Sequence, residues 1–283
     1  MSISKIGVLG AGTMGAGIAQ VSIEAGYSVV LIDVVEAVLD KAVKSMNKSW
    51  SKAVEKGKRT TADVEGFTAL LSTGTDINAF KDCDIVIEAI IENIDLKKKV
   101  FKDLSEICPP STILASNTSA LSITEIAAVT NRPDKVVGMH FFNPVPAMKL
   151  VEVIPGAVTS DDTVAQTMEL AVKIGKEPVK TKESPGFIVN RILVPYMNEA
   201  AIAYQEGIAS AAEIDKAMKL GAGMPMGPLA LADLVGIDVV LMVMNYFWAE
   251  FGDSKYRPAL AFKQKVRAGH LGMKTGKGFY DYN

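Results

Sequence analysis

The sequence predicts an α/β chain in which a doubly wound, mostly parallel sheet covered by helices is followed by an all-helical C-terminal part. Three observations carry this expectation. Short β-branched runs alternate with helix-like stretches up to residue 184, the pattern of strands joined by helical crossovers. A glycine-rich turn joins the first strand candidate to the first helix candidate. After "ESPGF" the strand candidates become few and helical patterns run to Arg267.

Each element follows from its own residues. "KIGVLG" reads as a buried strand, the segment through Glu24 as a helix stopped at Gly26, and "SVVLID" as a second strand. A helix from Glu36 to Lys56 comes next. "DCDIVIEAI", "STILASNTS" and "KVVGMHFF" are apolar, β-branched runs separated by the helix-like "LKKKVFKDLSEIC" and "SITEIAAV". "KLVEVIP" and "EPVKTK" add two strand candidates around a helix that opens at Ser160, with Asp161 and Asp162 behind it, and stops at Gly175. Ser184 and Pro185 read as the N-cap and first residue of the next helix, which puts the domain boundary there: 1–184 and 185–283. The helical part is supplied by "FIVNRILVPYMNEAAIAYQEG", "SAAEIDKAMKLG", "LALADLVGIDVVLMVMNYFWAEF" and "PALAFKQKVRAG".

Composition narrows the function classes. With 49% hydrophobic and 22% charged residues the chain has material for a sizeable core. A net charge of −2 gives no general attraction for nucleic acid. Cys83 and Cys108 fit neither a disulfide framework nor a metal-ligand spacing, and no cluster of metal ligands is visible. No charged segment followed by an apolar run opens the chain, so a cytoplasmic location is expected. The most apolar later stretch is interrupted by Asp233 and Asp238, costly in a bilayer, and no membrane span is expected.

"VLGAGTMGAGIA" places Gly10, Gly12 and Gly15 in G-x-G-x-x-G spacing, directly after a strand and opening a helix. Gly10 permits the tight turn, Gly12 lets backbone approach a pyrophosphate, and Gly15 allows close contact between helix and strand. Thr13 and Met14, between the last two glycines, open the helix whose N–H groups and positive dipole end suit phosphates. Asp33 ends the second strand 18 residues after Gly15, near the offset at which a carboxylate takes ribose hydroxyls. The unit is Rossmann-like, and a carboxylate at that point repels a 2′-phosphate, favouring NAD(H) over NADP(H).

His140 lies in the apolar run "KVVGMHFFNPV" and is one of only two histidines; the other, His270, sits between glycines in a basic tail and reads as a surface residue. A core histidine with a local partner is the plain alternative. However, His140 stands at the end of a strand, the edge where doubly wound folds bind ligands, and "NP" at Asn143 and Pro144 turns the chain just after it. Glu152 lies in the apolar strand "KLVEVIP", where an unpaired carboxylate is expensive unless strand alternation points it to solvent. Pairing the two resolves both anomalies. At the same edge Ser116, Asn117, Thr118 and Ser119 follow "TILA"; capping the next helix explains one of them, not four.

Taken together, "GVLGAGTMGAGIAQ", "DIVIEAIIEN", "ILASNTSALSITEIA", "GMHFFNPVPAMKLVEVI", "SPGFIVNRIL", "GAGMPMGPLALADLVG" and "KTGKGFYDY" resemble the L-3-hydroxyacyl-CoA dehydrogenase family along essentially its whole length. Among its members the chain looks like the short, free-standing bacterial enzymes rather than the fused multifunctional proteins. The resemblance implies an NAD-dependent oxidoreductase that interconverts (S)-3-hydroxybutyryl-CoA and acetoacetyl-CoA. It makes His140 the catalytic acid/base, Glu152 its partner, Ser119 a contact of both substrate and cofactor, and Asn190 a substrate-side hydrogen-bond donor. It puts cofactor contacts on Glu92, Lys97, Ser119, Asn143 and Lys274, with Asn117 in the same loop, and makes the helical domain the dimerisation half of a homodimer.

The same resemblance gives a use for the helix from Glu36. Between Lys41 and Arg59 stand seven basic residues against one acid, Glu55. Lys44, Lys48, Lys52 and Lys56 recur every four residues and form one ridge, with Ser45 and Ser49 beside it. A solvated face is the plain alternative. Lys52 and Lys56, with Ser45, are the candidates for the phosphates of CoA. Two other readings stay open: a dehydrogenase of free hydroxy acids on the same scaffold, which removal of CoA from the substrate would expose, and a cofactor-binding protein without turnover, against which the intact His140 and Glu152 argue.

Overall fold

The computed structural model describes residues 3–282. Its short Val- and Ile-rich runs pair side by side: β1 (Lys5–Leu9), β2 (Ser28–Ile32), β3 (Leu71–Gly74), β4 (Ile85–Glu88), β5 (Ile113–Ser116), β6 (Val136–Phe141), β7 (Leu150–Pro155) and β8 (Glu177–Lys180). They form one sheet in the order β3-β2-β1-β4-β5-β6-β7-β8. Pairing is parallel throughout except between β6 and β7. The doubly wound, mostly parallel sheet expected from the sequence is therefore present.

Helices α1 (Thr13–Glu24), α2 (Glu36–Glu55), α3 (Thr61–Ala69), α4 (Ile94–Ile107), α5 (Ile123–Ala128) and α6 (Asp161–Lys173) cross between strands. β1, β4, β5 and β6 are buried almost throughout, as expected of strands covered on both faces. α2 buries Leu39, Ala42, Met46 and Trp50 on one stripe and leaves its lysines outside. Asn93, Ser122 and Ser160 cap α4, α5 and α6 by accepting a backbone N–H with their side chains.

The chain divides into two compact units between Ser184 and Pro185. The second is all helix: α7 (Val189–Gln205), α8 (Ala211–Gly221), α9 (Pro228–Val235), α10 (Ile237–Phe251) and α11 (Leu260–Arg267), with a core that includes Met197, Leu229, Val240, Phe247 and Phe262. Its C-terminal tail is fastened by two buried carboxylates. Asp215 accepts from the N–H groups of Leu229 and Ala230 and from the Tyr280 hydroxyl, and Asp233 accepts from the N–H groups of Phe279 and Tyr280 and from the Tyr282 hydroxyl.

Several local expectations are corrected. No helix starts at Ser184–Pro185: Gly186 and Phe187 have φ of +76° and +52°, outside the helical region, and α7 begins at Val189. "LALADLVGIDVVLMVMNYFWAEF" is not one helix but α9 and α10, bent by 97° at Gly236, whose φ of +103° a helix cannot continue. α3 and β3 were not expected, and His270 is half-buried rather than on the surface. Among the described residues no single helix is long and apolar enough to cross a membrane.

Candidate active site

Because β1, β2, β4, β5 and β6 run parallel, their C-terminal ends lie along one edge, and the sheet order sets the sequence of functional groups along it. Over β2 and β1 lies the glycine turn. Gly10 has φ +99°, and a Cβ there would come 2.6 Å from the Ala89 carbonyl oxygen; at Gly15 it would come 1.7 Å from the Gly10 oxygen. Neither position tolerates a side chain. At Gly12, by contrast, a Cβ would meet no protein atom within 4 Å, and α1 starts there without any side-chain cap. Uncapped N–H groups facing open space are what a pyrophosphate requires, so the turn fits the phosphates of a dinucleotide. Met14 packs its side chain against the core and Thr13 lines the adjacent groove.

Asp33 follows the last residue of β2. Its Oδ2 accepts from Ala11 N at 2.7 Å and its Oδ1 from Val35 N at 3.0 Å. Besides the ribose contact expected of it, the carboxylate thus ties the glycine turn to the end of β2.

At the ends of β4 and β5 lies a buried charged cluster. Lys97 Nζ is 2.6 Å from Glu88 Oε1 and 3.4 Å from Glu92 Oε2, with the Lys97 and Glu88 side chains 1% and 0% exposed. Glu88 also accepts from Ile90 N and the Ser116 hydroxyl. Glu92 Oε1 accepts from Thr118 Oγ1 at 2.6 Å, Ser119 N at 2.8 Å and Ser119 Oγ at 3.2 Å. The Asn117 side chain accepts from Phe141 N and so joins β5 to β6. None of the four polar residues after "TILA" is the helix cap; Ser122 takes that role. Lys97 is thus held between the two carboxylates.

On β6, His140 Nδ1 lies 2.8 Å from Glu152 Oε2. The residues are direct cross-strand partners in the antiparallel β6–β7 pair, where successive side chains alternate faces, so the register puts both on one face. Glu152 is fully buried and His140 6% exposed, and the Phe142 ring packs 4.4 Å from the imidazole. An outward-facing Glu152 is excluded by that burial. The carboxylate thus holds the ring by Nδ1.

A groove of about 430 Å³ runs beside the glycine turn, lined by Gly12 and Thr13, by Gln20, by Lys41, Ser45 and Ser49 of α2, and by Asn143–Pro146. Its far wall is pinned by Lys176, a buried lysine whose ammonium donates to the carbonyls of Val145 and Met148 and whose burial pushes its pKa down. Lys52 and Lys56 are not among the residues that line the groove, and Lys56 is the C-cap residue that follows α2. In the helical unit, Asn190 lies in the first turn of α7, and Lys274 pairs with Asp238 at 2.6 Å.

Glu88, Lys176 and Gln20 escaped the sequence reading. Only Glu88 left a signal, as a carboxylate ending the apolar strand "DIVIE".

Comparison with known proteins agrees with this arrangement. Residues 5–184 match the NAD binding domain of 3-hydroxyacyl-CoA dehydrogenase and residues 186–282 its C-terminal domain. A 3-hydroxybutyryl-CoA dehydrogenase of Clostridioides difficile is 53% identical over 279 residues, covering 99% of both chains. The mitochondrial hydroxyacyl-coenzyme A dehydrogenase of Sus scrofa is 43% identical over 99% of this chain and 91% of its own. The crystal structure of (S)-3-hydroxybutyryl-CoA dehydrogenase from Ralstonia eutropha superposes with a TM-score of 0.97 at 49% identity, with 100% of both chains covered. The chain therefore belongs to the 3-hydroxyacyl-CoA dehydrogenase family of NAD-dependent oxidoreductases.

Proposed function

We propose that this chain interconverts (S)-3-hydroxybutyryl-CoA and acetoacetyl-CoA, with His140 as general acid/base. The observation that carries the reading is the buried His140–Glu152 pair at the C-terminal edge of a sheet whose glycine turn fits a dinucleotide. NAD, when bound, supplies the hydride acceptor or donor. The rest falls to the chain's residues. In oxidation His140 takes the proton of the 3-hydroxyl on Nε2, while Glu152 holds the ring by Nδ1 and stabilises the imidazolium that forms. In reduction the imidazolium returns that proton to the 3-keto oxygen. Ser119, held by Glu92, and Asn190, from the helical unit, are the hydrogen-bonding partners of the substrate oxygens. Glu92, Asn117, Asn143 and Lys274 complete the proposed cofactor contacts, with Lys97 acting through Glu92.

The groove beside α2 suits the CoA moiety, with Ser45 in its wall and Lys52 and Lys56 beyond as point charges for phosphate. The names of the relatives support the short acyl chain. A homodimer through the helical unit is supported by its exposed aliphatic side chains, among them Ile192, Leu220 and Leu234. A cytoplasmic location accords with two free cysteines.

The test mixes purified protein, NADH and acetoacetyl-CoA and follows the loss of reduced-nucleotide absorbance, with free acetoacetate as the control. Turnover should require the CoA thioester, and His140→Ala should lower it by roughly 10²–10⁴ with little change in NADH affinity. Equal turnover of acetoacetate, or near-full activity of His140→Ala, defeats the reading.

A further inference from the structure

We propose that Glu88, Lys97 and Glu92 form a fixed net negative charge that favours the oxidised cofactor over the reduced one, with Glu88 as its positioning residue. The proposal rests on the reading above for the site's occupant. The sheet order then gives that occupant its direction: with the pyrophosphate at the β1 turn and the adenosine toward Asp33 just after β2, the nicotinamide half would extend over β4 and β5, toward His140 on β6.

The cluster lies at that point. It sets two carboxylates against one ammonium, which leaves one net negative charge. Glu88 and Lys97 lie where water does not screen them, and among the described residues the Glu88 carboxylate accepts from Lys97 Nζ, Ile90 N and the Ser116 hydroxyl. Glu88 thereby draws the Lys97 ammonium inward. Glu92, 23% exposed at the rim, carries the residual charge and bonds to Ser119 N and Oγ. The oxidised nicotinamide ring is cationic and the reduced ring neutral, while the rest of the cofactor is the same in both. A charge beside the ring therefore acts on the difference between the two affinities. A lone lysine here would favour NADH; the pair of carboxylates reverses that sign.

The experiment measures equilibrium dissociation constants for NAD⁺ and NADH by calorimetry, without substrate, on the full-length protein and on Glu88→Gln, Glu92→Gln and Glu92→Asp. Loss of one unit charge should raise the ratio Kd(NAD⁺)/Kd(NADH) about tenfold in both glutamine variants, the size that Coulomb's law gives at an effective dielectric of about 20 for an assumed separation of about 10 Å. Glu92→Asp, which keeps the charge, should hold the ratio near that of the unmodified protein. A merely structural role would weaken both nucleotides equally, so an unchanged ratio in the glutamine variants overturns the proposal. If Glu88→Gln does not fold, Glu92→Gln at the rim decides alone. Failure of the unmodified protein to bind either nucleotide would instead defeat the cofactor reading, and this proposal with it.

Discussion

Glu152→Gln removes one charge from the site while keeping side-chain volume and the cross-strand position opposite His140. The effect can be sized from the contact. The Nδ1–Oε2 separation is 2.8 Å and the carboxylate is fully buried, so its attraction for a protonated ring is hardly screened. A hydrogen bond to a charged group contributes about 1.5–3 kcal/mol, much of which the neutral amide forfeits. At about 1.4 kcal/mol per decade, the imidazolium becomes roughly 10- to 100-fold less favourable. Reduction starts from that imidazolium, so kcat with acetoacetyl-CoA at neutral pH should fall by a similar factor. NADH affinity should stay the same, because the glycine turn is untouched. The assay is initial-rate kinetics at neutral pH, with a thermal melt to show that the variant is folded. A folded Glu152→Gln protein whose neutral-pH kcat stays within about threefold of the unmodified enzyme would refute the argument.

Other predictions test separate parts of the site. Asp33→Asn should narrow the gap between NADH and NADPH by removing the charge that repels a 2′-phosphate; because Asp33 also holds Ala11 N, both affinities should fall somewhat, and equal kcat/KM for the two cofactors in the unmodified protein would contradict the idea. Replacing Lys52 and Lys56 together with alanine should raise KM for acetoacetyl-CoA and flatten the salt dependence of kcat/KM, since exposed charges are screened over about 10 Å at 0.1 M salt; an unchanged KM at low ionic strength returns them to plain surface. Burial pushes the Cys83 thiol up to about 12 and the Cys108 thiol up to about 11, so thiolate should form only in strongly alkaline solution. Thiol reagents at neutral pH should therefore react only as fast as the protein opens, and rapid stoichiometric labelling of the folded protein would count against that burial.

The parts of the fold that announced themselves did so through packing on both faces. β1, β4, β5 and β6 bury nearly every residue, so they stand out as unbroken apolar runs. β3 has four residues and buries none fully, so it offers no period to read. α3 left a fainter trace: Thr60 and Asp63 form a reciprocal capping box, and the "TTAD" spacing that encodes it was visible in the sequence. The α9–α10 bend was hidden because the residues on both sides of Gly236 are apolar and periodic; only the positive φ of that glycine separates two helices from one.

What the sequence determined by itself was local chemistry. G-x-G-x-x-G specifies its turn because the positive φ of Gly10 and the contact of Gly15 with the Gly10 carbonyl arise within a few residues of chain, and a histidine and a glutamate in apolar runs each required a partner. The partnership itself was decided by tertiary structure. His140 meets Glu152 because β7 runs antiparallel to β6 in a register that sets them directly opposite, and a slip of one residue would turn Glu152 to the other face. Tertiary structure also decided that Lys97 turns inward between Glu88 and Glu92, and that Lys41 and Ser45 of α2 line the groove whereas Lys52 and Lys56 do not. Such choices depend on which strands and helices lie side by side, and hydrophobic periodicity along one segment carries no information about the neighbour it will pack against.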